Sequence, residues 1–241
     1  MSKRARSLIQ LPFDPLDTLR LCGGYYRCPK NVKGKRFGPL VGYAGTYEAP
    51  DGSRQHYVGD VFYNFARVEQ YPHVRDLYAH ALAEQIEDRA PDVFLGAPMG
   101  GILLAEALAR IFDRRVIFAE KKTKKAATEG LREESALVLD RHGLLPDDSV
   151  MIVEDVCNNF TTTRQLYDLV QGHRGIGTGV VCAINRSAEI LYLGLGVWGV
   201  VHLPTQQYRQ DDPEVAADIA AGNVVWKPKD EWEERIAPHM K

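Results

Sequence analysis

Between residues 72 and 203 the chain switches repeatedly between two hydrophobic periods. From Pro72 the apolar positions Val74, Leu77, Tyr78, Ala81, Leu82 and Ile86 fall three and four apart, the spacing of a half-buried helix. Residues 92–97 are a short unbroken apolar run, which predicts a buried strand. The loop Pro98-Met99-Gly100-Gly101 follows, then an apolar helix over 102–112 and a strand over 115–119. The alternation resumes with a strand at 149–153, a helix from 163 to about 170, and strands at 179–184 and 199–203. Strands that alternate with helices predict an α/β fold with a parallel sheet core flanked by helices and right-handed crossovers.

The flanks read differently. Residues 1 to about 70 are irregular and rich in Gly, Pro and Tyr. The turn Ala49-Pro50-Asp51-Gly52, between Tyr-Val and Val-Phe-Tyr pairs, predicts a small antiparallel element there. Residues 120–136 are charged and weakly periodic, which predicts a flexible loop. In the tail, Asp212-Pro213 predicts the opening of a short helix. These patterns divide the chain into an N-terminal part, 1–70, and a core with its C-terminal tail, 71–241.

The chain has 241 residues, 45% apolar and 26% charged, as expected for a globular protein. Its formal charge of -2 gives no field that would favour nucleic acid or an anionic membrane. Its apolar runs are too short to span a bilayer. The start, Met1-Ser2-Lys3-Arg4-Ala5-Arg6, is basic, but the apolar segment behind it is broken at Gln10 and Pro12, so no leader core is expected. Cys22, Cys28, Cys157 and Cys182 lack metal-site spacing and read as free thiols of a cytoplasmic protein.

The chemistry concentrates at the ends of the expected strands. The run Val150-Met151-Ile152-Val153 ends in Glu154 and Asp155, and a polar loop, Asn158 to Thr162, leads into a helix. Paired carboxylates can hold a sugar diol or a hydrated divalent metal. A hydroxyl-rich turn offers backbone N–H groups and a helix N-terminus to a phosphate. Gly96 to Gly101 is a second such turn, where glycine lets the backbone approach a ligand closely. Lys121, Lys122, Lys124 and Lys125 crowd the start of the charged stretch, and Arg186 follows Asn185 at a strand end, where its fork could meet a carboxylate.

In that order these features resemble the type I phosphoribosyltransferases. Phe118-Ala119-Glu120-Lys121, Val153-Glu154-Asp155-Val156 and Asn185-Arg186 are most similar to the orotate enzymes. The resemblance implies the type I phosphoribosyltransferase fold, with residues 1–70 forming a hood over the base. It implies transfer of ribose 5-phosphate from phosphoribosyl diphosphate (PRPP) to a nucleobase, with orotate first in line. Alternatives are transfer to another base and a regulatory protein that binds PRPP or a nucleotide without turnover. Asp155, Glu154 and Lys121 would be catalytic. PRPP would meet Gly100, Gly101 and Lys122, the two acids, and Asn158, Asn159, Thr161 and Thr162 of the loop. Asn158 and Arg186 would bind the base. Mg²⁺ would be held mainly through PRPP, with no dedicated protein ligand, and the protein would be a homodimer that binds neither nucleic acid nor membrane.

Two departures carry expectations of their own. Phe160 stands where the family has glycine, and Asn158-Asn159 replace a threonine pair. If that position requires φ > 0, phenylalanine costs about 1 kcal/mol or more. Either Asn159 takes the unusual dihedral in a rebuilt loop, or PRPP binds poorly. The Ser-Gly signature of the orotate enzymes' hood is absent.

Overall fold

A computed structural model describes residues 14–125 and 134–240. The basic N-terminus and the far part of the charged stretch lie outside the described residues. The N-terminal part contains α1 (Pro15–Leu21), β1 (Tyr25–Arg27), β2 (Leu40–Glu48), β3 (Arg54–Gly59), β4 (Val61–Tyr63) and α2 (Ala66–Glu69). After α3 (Pro72–Gln85) come β5 (Val93–Gly96), α4 (Ile102–Phe112), β6 (Arg115–Phe118), β7 (Glu120–Lys125) and β8 (Glu134–Val138). Then follow β9 (Ser149–Cys157), α5 (Thr161–Gly172), β10 (Ile176–Asn185), β11 (Leu191–Tyr192) and β12 (Leu195–His202). After them come α6 (Ala216–Ala220), β13 (Val224–Val225), a π-helical turn (Trp232–Ile236) and a 3-10 turn (Ala237–His239).

The main sheet has the order β11-β12-β10-β9-β5-β6, parallel except for β11. Its strands alternate faces with period two. Met151 and Val153 enter a core with Tyr78 and Leu82 of α3 and Leu104 and Leu108 of α4. Val150 and Ile152 enter a second core with Leu166 and Val170 of α5. Both faces are covered, which is why β5, β9 and β10 read as near-continuous apolar runs rather than alternating ones. The connection from β5 runs outward to β6 while that from β9 runs the other way to β10. The chain direction therefore reverses between β5 and β9, where open α/β sheets place their ligand crevice.

The expected antiparallel element is present. β2 pairs with β3 across the Ala49–Gly52 turn, where Gly52 has φ +79° and Asp51 Oδ1 accepts from Ser53 N at 2.9 Å. The tail joins this sheet: β13 pairs in parallel with Leu40 and Val41 of β2, and Trp232 and Ile236 pack with Tyr26 and Tyr43. Two expectations are corrected. The charged stretch begins not as a loop but as an antiparallel pair, β7 with β8, in which Lys121 faces Leu137. Its lysines alternate with no apolar period, so the sequence carried no strand signal. The tail helix starts at Ala216, after a turn in which Val215 N and Ala216 N both donate to Asp212 O at 3.0 Å.

Candidate active site

Two loops meet at the reversal point. After β5, Gly101 N donates to Ala97 O at 3.0 Å, and Ala97 N donates to Val153 O at 2.9 Å, which locks this turn onto β9. The Pro98–Met99 peptide is cis. A side chain at Gly100 would place its Cβ 2.4 Å from the Asp155 carboxyl group, and one at Gly101 would lie 2.1 Å from Val153 O. Neither position tolerates a Cβ without a shift, so both glycines are dictated by close approach to the acidic strand end.

Glu154 and Asp155 are in adjoining but different surroundings. Glu154 is 9% exposed. Burial, and then the charge of Asp155, push its carboxyl up to about 8, against a smaller lowering by the Asp155 N–H. Asp155 is half-buried, and its Oδ1 accepts from Val156 N at 2.8 Å. Glu69, at the end of α2, is a third carboxyl group nearby that the sequence did not flag. Its acidity is weakened by burial and then by Asp155, and one of its oxygens is buried without a partner.

The loop after β9 shows how Phe160 is accommodated. Phe160 itself takes the left-handed conformation, φ 55° and ψ 19°, as the N-cap of α5. Asn159 does not, so the first of the two alternatives, a loop rebuilt around Asn159, is not the one adopted. The Phe160 ring is buried with Leu166 and Val170 and stacks on Tyr192, with centroids 4.4 Å apart and 14° between planes. The strain of the left-handed residue is thus offset by ring burial and stacking. α5 starts at Thr161, two residues before the expected position, so the first-turn N–H groups of Thr161 and Thr162 stand at the loop mouth. Asn159 Oδ1 accepts from Thr161 N at 3.3 Å.

Arg186 is 5% exposed, far from a surface arginine. Its guanidinium lies 3.9 Å from the centroid of the Tyr43 ring, on β2. Its Nε donates to Thr205 Oγ1 at 2.8 Å, while Nη2 is buried with no partner. The turn that carries it is fixed by Asn185, whose Nδ2 donates to Glu189 O at 2.7 Å and whose Oδ1 accepts from Ser187 N and Oγ. Beside it a cavity of about 720 Å³ is lined by Asn158, Phe160, Arg186, Tyr192, Thr205 and Gln207, among others.

The structure therefore brings Gly100, Gly101, Glu154 and Asp155 to one crevice, and Asn158, Asn159, Thr161, Thr162 and Arg186 to its side. Lys121 and Lys122 stand apart on the exposed β7, and Lys122 is ion-paired with Asp140. Tyr43, Thr205 and Gln207 carried no sequence signal, because they reach the site only through tertiary folding. Among the described residues no group of three or more His, Cys, Asp or Glu is placed to hold a metal ion, and no helix is long and apolar enough to cross a membrane.

This crevice sets a glycine turn and an acidic, hydroxyl-bearing loop at the switch point of a parallel sheet, where open α/β sheets bind their ligands. The sequence profile of the phosphoribosyl transferase domain matches residues 65–191, just over half of the chain. The chain belongs to this family, with the type I fold, and is a pentosyltransferase. The orotate phosphoribosyltransferase of Caldanaerobacter subterraneus is 27% identical over 154 residues, which cover 64% of this chain and 75% of that one. The orotate phosphoribosyltransferase of Carboxydothermus hydrogenoformans is 28% identical over 170 residues, 69% of this chain and 82% of the relative. Among solved structures, Leishmania donovani UMP synthase matches with a TM-score of 0.52 at 13% identity, covering 88% of this chain and 39% of that chain. An adenine phosphoribosyltransferase from Trypanosoma brucei matches with a TM-score of 0.52 at 12% identity over 80% of this chain and 82% of its own. These two likenesses establish the fold.

Proposed function

We propose that the protein transfers the phosphoribosyl group of PRPP to orotate, forming orotidine 5′-monophosphate and pyrophosphate. The C1–O bond to pyrophosphate breaks, a C1–N bond to the base forms, and the base nitrogen gives up its proton. The observation that carries the choice of base is Arg186. A buried guanidinium with an unpartnered Nη2, beside a cavity next to the phosphate loop, is a costly arrangement unless an anion completes it. The carboxylate of orotate supplies that anion. The names of the curated relatives support the same choice.

Each residue then has a part. The first turn of α5, with Thr161, Thr162 and the backbone at Asn159, receives the 5′-phosphate at a helix N-terminus. Asp155 and Glu154 hold the ribose hydroxyls, Glu154 with its proton kept at neutral pH, and Asp155 steadies the positive charge that grows at C1. Gly100 and Gly101 let the pyrophosphate lie against the backbone. Mg²⁺ bound with PRPP would neutralise pyrophosphate charge, and its ligands would come mainly from the substrate, with Asp155 as the carboxylate at hand. The β7–β8 hairpin brings Lys121 to the leaving pyrophosphate in a homodimer, across to the neighbouring subunit. The protein works in the cytoplasm, with the described part of the N-terminal region, residues 14–70, joined by β13, as the hood.

The test is formation of orotidine 5′-monophosphate by the purified full chain with PRPP and Mg²⁺. Arg186→Met should raise the KM for orotate at least about tenfold, the loss of a charged hydrogen bond, and leave the KM for PRPP near its starting value. Turnover of adenine, hypoxanthine or uracil, with none of orotate, would replace orotate by another base.

A further inference from the structure

The segment that follows β12 runs across the mouth of the cavity as a strap, hydrogen-bonded at nearly every step. Leu203 N donates to Asn185 O at 2.9 Å and Thr205 N to Arg186 O at 3.0 Å. Gln207 Nε2 donates to Asn158 Oδ1 at 3.0 Å. Tyr208 and Val58 exchange two backbone hydrogen bonds, at 2.8 and 3.0 Å, and Gln210 N donates to Tyr47 Oη at 2.7 Å. The strap thus starts on the core, touches both candidate base-binding residues, and ends on the hood.

Gln207 sits at the middle of this run. A Cβ built on Gly45 of β2 would lie 3.8 Å from Gln207 Oε1 and 3.4 Å from Asn159 Nδ2, so the hood closes over this amide and the loop together. A carboxamide such as that of Asn158 can offer a ligand either an acceptor or two donors, and a neighbour decides which. Here its oxygen is taken by Gln207, and its Nδ2 hydrogens remain for a ligand. Arg186, whose Nη2 is buried without a hydrogen-bond partner, adds a second donor beside the same cavity. Glu189 stands exposed at the rim of the cavity.

We propose that Gln207 is a specificity-determining positioning residue: by holding the oxygen of Asn158 it turns that amide's N–H groups to the cavity and, with Arg186, favours a base edge that carries acceptors, a carboxylate beside a ring carbonyl. This rests on the transfer to a carboxylated base proposed above. With Asn158 turned over, its oxygen would face the carboxylate, acceptor against acceptor, and a favourable contact would become a repulsive one.

Steady-state kinetics with orotate and PRPP on three variants test it. Gln207→Met keeps the shape and removes the donor, and should raise the KM for orotate about tenfold while the KM for PRPP holds within about twofold. Gln207→Glu offers Asn158 an acceptor, draws its N–H groups away from the cavity, and should raise the orotate KM further, to about a hundredfold. Asn158→Asp keeps the bond from Gln207 and replaces the donor from the other side, with the same selective loss. A structural role alone would lower the melting temperature and move both KM values together, and that result overturns the inference. Wild-type turnover of orotate with an unchanged orotate KM in the Gln207 variants sinks this inference and leaves the transfer reaction standing. A folded wild type that does not use orotate overturns the reaction, and this inference with it.

Discussion

The two walls of the crevice are built on opposite plans. On the core side each candidate residue is delivered by a strand end: Gly100 and Gly101 after β5, Glu154 to Thr162 after β9, Arg186 after β10. Both faces of that sheet are covered, so the backbone is fixed by packing over many residues. On the hood side Tyr43 comes from β2, in a three-stranded sheet, and Thr205 and Gln207 from an irregular strap, joined to the core-side residues by hydrogen bonds and a cation–π contact. The core side thus suits chemistry common to the family, and the hood side suits selectivity, which changes with a few side chains. Loss of Asp155, at the ribose, should appear in kcat, and loss of a group that faces the base, Arg186 or Asn158 from the core and Gln207 from the strap, in the KM for the base.

The largest expected effect is on the core side. Asp155→Asn keeps size and the contact with Val156 N, yet removes the charge that steadies a cationic ribose. Turnover should fall by about 10²–10³-fold, the scale seen when one electrostatic partner of a transition state is removed. The melting temperature should move little. Unaltered turnover in a folded variant would remove Asp155 from the mechanism, and a rise in orotate KM alone would erase the contrast between the walls.

Phe160 tests whether the loop is held by its backbone or by its ring. Glycine would relieve a left-handed residue, a gain of about 1–2 kcal/mol. It would also delete a buried aromatic side chain, a loss of about 3–5 kcal/mol. The ring should win, so that Phe160→Gly destabilises the fold by about 2 kcal/mol in denaturant titrations. A more stable variant would show that Phe160 is strain without compensation.

The sheet and the order of its loops were legible in the sequence because packing on two faces writes itself as apolar runs, as in Val150 to Val153. The paired acids and glycines were legible because close approach and charge leave few residue choices. The left-handed residue was not. The resemblance marked the position as a glycine's, but not that Phe160 would take that conformation itself, which its packing with Leu166, Val170 and Tyr192 explains. The strap was illegible for a related reason, since Thr205 and Gln207 are ordinary polar residues in a segment with no period. The burial of Arg186 was hidden too, because Tyr43 covers it from the hood.

Glu154 carries the pH dependence. Its folded carboxyl is held up at about 8, above an ordinary 4.5. The folded protein keeps a proton that the unfolded chain releases, so this contribution to stability is full below about 4.5 and is lost as pH rises through about 8. Glu154→Gln removes the dependence. The variant's melting temperature should gain on the wild type between pH 5 and pH 9, with the variant ahead at pH 9. Parallel melting curves would mean that the Glu154 proton is not linked to folding.

The smallest effect belongs to the hairpin, which lies outside both walls. Successive residues of β7 face opposite ways, so Lys121 and Lys122 cannot do the same work. Lys122 is ion-paired with Asp140, and both side chains are exposed. Such pairs contribute little, so Lys122→Ala should change stability by less than about 0.5 kcal/mol. Among the described residues Lys121 has no ion-pair partner, which leaves its charge available to pyrophosphate. Lys121→Ala should therefore lower kcat by about tenfold or more, while Lys122→Ala leaves it within about threefold. If Lys122 proves the more costly, the pair with Asp140 opens during turnover, and the two lysines exchange roles.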